Sequence, residues 1–170
     1  MCEKPARSAK SVLPLLLLFA GIPAPALAQQ PSPKPAAPAA TVPGFTVNIT
    51  YSQKAMATLV AGKETVIVAG YLSGAPRKDT PRQYVSDMGE VGLGEAQREI
   101  APEATATFDH IKLKQSMLKW IDGQGPLLLI NVYSGRKSSP NNLLDCGIYE
   151  GALKAVQGQI IPISCKLIGE

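Results

Sequence analysis

The chain is poor in the residues that carry most enzymatic chemistry. It holds a single histidine, His110, and three cysteines, and aromatic side chains make up only 5% of it. A Ser-His-Asp arrangement would have to use His110. Asp109 adjoins it, but neighbours along a strand point to opposite faces, so Asp109 is badly placed to orient the ring. There is no C-x-x-C, the usual geometry for thiol–disulfide exchange, and no G-x-S-x-G to mark a nucleophile elbow. Gly62-Lys63-Glu64 lacks the remainder of a phosphate-binding loop, and the acidic residues show no calcium-loop spacing. Glu90, Glu95 and Glu99 are the carboxylates from which a glycoside-cleaving pair could be drawn. With no second feature beside them, they read as a charged strand face. The sequence therefore assigns no catalytic residue, no metal ligand and no cofactor.

Excess charge is also scarce where it would count. Of the net charge of +4, half sits in the first 28 residues, where Lys4, Arg7 and Lys10 face Glu3. The remainder is close to neutral and lacks the electrostatic footprint of a nucleic-acid binder. Near the start lies an apolar stretch, Val12 to Ile22, with four leucines at Leu15–Leu18. It follows the basic start and precedes Ala26-Leu27-Ala28, small residues at the −3 and −1 positions of a cleavage site. This is the three-part pattern of a secretory signal peptide over residues 1–28. A retained anchor needs about 20 apolar residues, and Pro14, Pro23 and Pro25 interrupt this shorter run. No cysteine follows it, which argues against a lipid anchor. The expected product is periplasmic or secreted, with no stable membrane span after cleavage.

Residues 29–44 carry Pro31, Pro33, Pro35, Pro38 and Pro43 with alanines between. Such a segment has little apolar surface to bury and reads as a spacer, extended at about 3.1 Å per residue in polyproline II form. A single folded domain is expected over residues 45–170.

Within that domain the signals are those of strands. Phe45, Val47, Ile49 and Tyr51 alternate with polar residues, the pattern of a half-buried strand. Asn48-Ile49-Thr50 fits a glycosylation sequon on its outward face. Ser52 is placed to cap a short helix with Met56, Leu59 and Val60 on one side, and Gly62 to end it. Residues 65–72 form a continuous apolar, β-branched run, which predicts a strand buried on both faces. Further strands are expected near 89–100, 104–113, 127–133, 143–149 and 159–168, with a two-turn helix over 114–122. In 104–113 the apolar phase shifts at Asp109-His110, as a bulge would produce. The whole predicts a mainly β chain: an antiparallel β-sandwich of about seven strands with two or three short helices. In pattern alone it resembles immunoglobulin-like or transthyretin-like sandwiches.

Cys2 belongs to the leader, which leaves Cys146 and Cys165. An even pair in an oxidising compartment predicts a disulfide. Cys165 shares a strand face with Ile161, Ile163 and Leu167, and Cys146 with Leu144 and Ile148, so both thiols are expected to meet at apolar surface. The bridge would stabilise the fold by roughly 3 kcal/mol.

The strongest binding candidate is the loop from Ser134 to Asn142. Arg136, Lys137, Ser138, Ser139, Asn141 and Asn142 concentrate donors after an apolar strand, and its two cations suit a carboxylate, phosphate or sulfate. Arg77, Lys78 and Arg82 form a second basic loop. The functional expectation is a non-catalytic exported binding or interaction domain, with an unknown protein or an anionic small ligand as partner. A cell-envelope hydrolase acting on a glycan or ester, using carboxylates or His110, is the alternative. Intact-mass measurement of the exported protein checks the leader: the N-terminus is expected at Gln29 or within a few residues of it.

Overall fold

The computed structural model describes residues 41–42 and 44–170; the expected leader, Cys2 and the greater part of the spacer lie outside them. Alternation and β-branched runs produce the elements in chain order: β1 (Thr41–Val42), β2 (Phe45–Tyr51), helix α1 (Gln53–Ala61), β3 (Val66–Gly74), β4 (Val91–Ile100), β5 (Ala106–Phe108), β6 (Ile111–Lys112), the one-turn helix α2 (Gln115–Leu118), β7 (Leu127–Ser134), β8 (Leu144–Cys146), β9 (Tyr149–Ala152) and β10 (Ile160–Leu167). They form two four-stranded sheets, ordered β5-β2-β10-β8 and β4-β3-β7-β9, and a small β1-β6 pair. Phe45, Val47, Ile161 and Ile163 from the first sheet, and Val66, Val68, Leu128 and Ile130 from the second, are buried in one shared core. The chain is mainly β, as the sequence predicts.

Several details differ. Ten strands stand among the described residues where about seven were expected, chiefly because two predicted strands each break and change sheets. In 104–113, β5 pairs with β2 while β6 pairs with β1. The phase shift at Asp109-His110 is thus a change of partner and not a bulge, and both residues are exposed there. In 143–149, β8 joins β10 and β9 joins β7. Ile148 lies at that crossing and is 66% exposed, so it does not share a buried face with Cys146. A true register shift occurs elsewhere, at Leu72/Ser73 against β4.

Nor are the sheets wholly antiparallel. β2 and β10 run parallel, from Ile160 beside Thr46 to Cys165 beside Tyr51. Tight turns enforce antiparallel pairing only between successive strands; these two are separated by most of the domain. Ser52 caps α1 as expected, its Oγ accepting from the Ala55 N–H at 3.0 Å. The face α1 buries is Ala55 and Leu59, four residues apart, and Val60 points outward. The expected two-turn helix over 114–122 is shortened to α2; Ile121 lies beyond it and bridges to Pro76.

Cys146 and Cys165 stand directly opposite each other on β8 and β10, and their sulfurs are bonded at 2.03 Å with Cα atoms 4.1 Å apart. Cys165 is buried with Ile161 and Ile163. A disulfide of this kind belongs to an oxidising compartment. Among the described residues, no helix is long and apolar enough to cross a membrane.

One core position is imperfect. The Tyr51 hydroxyl is buried without a hydrogen-bond partner among the described residues. Burial, and then the nearby Glu103 carboxylate, push its pKa up to about 12. An unpaired buried hydroxyl costs on the order of 1 kcal/mol or more. Tyr51→Phe is therefore expected to raise unfolding free energy by about 1 kcal/mol, read from urea denaturation; a loss of stability would show that the hydroxyl is satisfied.

Candidate functional site

The apolar run in β3 predicts burial on both faces, and among the described residues one face is fully covered and the other in part. Val66, Val68, Gly70 and Leu72 point into the core; on the opposite face Ala69 is buried, Ile67 and Ser73 are half-buried and Tyr71 is exposed. Pairing registers extend this outer face across the sheet in rows. Glu95, Tyr71, Leu129 and Glu150 form one row; Gln97, Ala69 and Asn131 the next; Glu99, Ile67 and Tyr133 the third. An aliphatic and aromatic middle is thus flanked by carboxylates. Tyr71 borders three adjoining hollows of about 600, 460 and 330 Å3.

The loop from Ser134 to Asn142 closes one end of this face. Its shape is set by Glu64, which is only 2% exposed. Gly62 caps α1, and Lys63 then adopts a left-handed backbone (φ 50°) that turns the chain toward β3. Glu64 Oε1 accepts from the Thr65 and Lys137 N–H groups at 3.0 and 2.8 Å, and Oε2 from the Ser138 N–H and hydroxyl at 2.8 and 2.6 Å. Arg136 takes the left-handed conformation (φ 61°) just before these amides, a turn that lets successive N–H groups converge on an anion. At Gly135 there is no room for a side chain, since a Cβ would overlap Thr65 Oγ1. Burial raises the Glu64 pKa, but the hydrogen bonds from Ser138, Lys137 and Thr65 outweigh it and hold it at about 2. The other end of the loop is tied by Asn142, whose Oδ1 accepts from the Ser134 and Leu144 N–H groups at 2.9 and 3.1 Å.

The six residues that the sequence singles out therefore divide. The Lys137 and Ser138 amides serve Glu64, and the Lys137 ammonium pairs with Glu99 at 2.9 Å. Glu99 also accepts from the Thr65 hydroxyl; these bonds lower its pKa and raise that of Lys137. Ser139 Oγ accepts from the Asn141 N–H at 3.2 Å within the loop. Arg136 and Asn142 line the 460 Å3 hollow with Ile67, Tyr71, Asn131 and Tyr133. Among the described residues, Arg136 is its one cationic lining residue. Tyr133 OH accepts from Gln97 Nε2 at 3.3 Å. Burial and then Tyr71 push the Tyr133 pKa up, while Arg136 pulls it down. In the second basic loop, Arg77 is held by Asp79 through paired bonds of 3.0 Å.

His110 is exposed on the link between β5 and β6. Sequence reasoning passed over Glu64 and Tyr71. The available signals were a carboxylate directly before an apolar strand and a lone tyrosine within that strand. Compared with family models, curated proteins and solved structures, the chain matches none.

Because the folded pKa of Glu64 is about 2 and the ordinary value 4.5, its ionised form favours folding. That contribution is complete above pH 4.5 and is lost as pH falls toward 2. For so buried a group it amounts to about 3 kcal/mol. Glu64→Gln is expected to cost about 2–4 kcal/mol at pH 7 and to flatten the acid limb of stability against pH. Urea melts between pH 2 and 7 read both effects, and hydrogen exchange at Lys137 and Ser138 reports release of the loop.

Proposed function

We propose that this chain is an exported, non-catalytic binding domain whose ligand surface is the outer face of the β4-β3-β7-β9 sheet. The observation that carries the reading is Tyr71, an exposed aromatic that lines three hollows on this face. Partly apolar hollows with a few convergent polar groups are the usual form of a binding site. In the 460 Å3 hollow, Arg136 supplies the positive charge and Asn131 and Asn142 line it with amides. The expected ligand there is an anion, a carboxylate or phosphate borne by a small molecule or a protein. The leader expected from the sequence and the disulfide together support export to a periplasm or beyond the cell. We read the two sheets as a sandwich of immunoglobulin-like or transthyretin-like pattern, a reading their common core supports.

The hydrolase alternative is less well supported. Glu95 and Glu99 share a face but lie four residues apart on β4, about 13 Å along the strand, which is wider than a glycoside-cleaving pair requires. Glu99 is also held by Lys137 and Thr65.

Acetate and inorganic phosphate, titrated separately into isotopically labelled protein, test the anion reading. Amide shifts are expected at Tyr133, Arg136 and Asn142. Arg136→Gly suits the left-handed backbone and should weaken the response about tenfold, the worth of one charge-assisted hydrogen bond, with the melting midpoint kept. An unchanged response in the variant would remove Arg136 from the site.

A further inference from the structure

The hollow at the opposite end of the same face has the opposite charge. Its 330 Å3 are lined by Tyr71, Ser73, Met88, Leu127, Leu129, Glu90 and Glu150, with no basic residue in the lining among the described residues. Leu129 sits between Tyr71 and Glu150 in the sheet register, so carboxylate, aliphatic and aromatic groups form one row. The remaining wall is a tight turn. The Ser86 N–H donates to Glu90 O at 2.8 Å, the Gly89 N–H to Ser86 O at 3.0 Å, and the Glu90 N–H to Ser86 Oγ at 3.3 Å. This turn holds Met88 at 87% exposure beside an apolar floor. Among the described residues, neither the Glu90 nor the Glu150 carboxylate enters an ion pair, whereas Asp79, Glu99 and Asp145 do.

We propose that this hollow receives a lysine side chain from a partner polypeptide. The methylene stem matches Met88, Leu127 and Leu129, and the ammonium matches the two carboxylates, with Tyr71 also in the lining. A polypeptide is the fitting source because β9, which carries Glu150, is the last strand of its sheet. An extended chain laid along β9 finds backbone partners on a strand edge and presents alternate side chains to the outer face. This assignment goes beyond the anion reading and does not need it, since the groups involved are different ones.

The test uses the exported chain and three probes: the capped tripeptide acetyl-Val-Lys-Val-amide, its norleucine counterpart, and pentylammonium chloride. Amide shifts at Met88, Glu90, Leu127, Leu129 and Glu150 are expected to saturate with the lysine peptide. The other two probes should bind at least about tenfold more weakly. The Glu90→Gln/Glu150→Gln double variant should lose about tenfold for the lysine peptide and keep its melting midpoint. Its response to acetate at Arg136 should also persist, so either site can fail without the other. Equal binding of the norleucine peptide would reduce the hollow to an apolar patch, and equal binding of pentylammonium would assign it to free amines. Those outcomes, absent shifts, or a double variant that binds as before would each overturn the proposal.

Discussion

The Glu64 carboxylate is the constraint on which the candidate surface depends. It lies where α1 gives way to β3, and it gathers the amides of a loop more than 70 residues further along the chain. Without a partner, a buried carboxylate would take up a proton to avoid the cost of desolvation. Here the donors surround it, and the charge becomes the anchor of the loop. Gly135 leaves room for the approach, and the left-handed turn at Arg136 aims the next two amides inward. The same turn places Arg136 at the mouth of the hollow beside Tyr133. An internal anion thus determines where the external-facing cation stands.

This arrangement explains why part of the site was legible in sequence and part was not. The loop from Ser134 to Asn142 reads as a binder of an external anion because it is dense in donors, whereas its Lys137 and Ser138 amides are taken up by the chain's own Glu64. Donor density is visible in a string of letters; the identity of the acceptor depends on a contact 73 residues away along the chain. Strand alternation was similarly informative within limits. The phases of 45–51 and 159–168 predict their buried faces, and those of Cys146 and Cys165 lead to the bridge. The run at 65–72 offered no alternation to read. Ile67 and Tyr71 are apolar on a face that no second layer covers among the described residues, and the sequence pattern treats an uncovered apolar residue and a core residue alike.

The strand breaks show a further limit. A phase shift in a strand has more than one structural solution, and local sequence does not choose between them. At Asp109-His110 the chain leaves one sheet and pairs with β1. At Gly147-Ile148 it passes from the side of β10 to the side of β7. The second crossing joins the two four-stranded sheets at their margins, and the disulfide lies one residue before it. The covalent bond therefore fastens β8, a strand of only three residues, to the longer β10.

The parallel alliance of β2 and β10 has a mechanical meaning. These strands lead to the two ends of the described domain, so a pull applied at those ends draws them past each other lengthwise. Under that geometry the load falls across the row of bonds from Thr46 to Tyr51 all at once. An antiparallel terminal pair drawn from the same end would instead open like a zip, one bond at a time. For a module loaded at both of those ends, such a clamp would resist traction well beyond what its size implies.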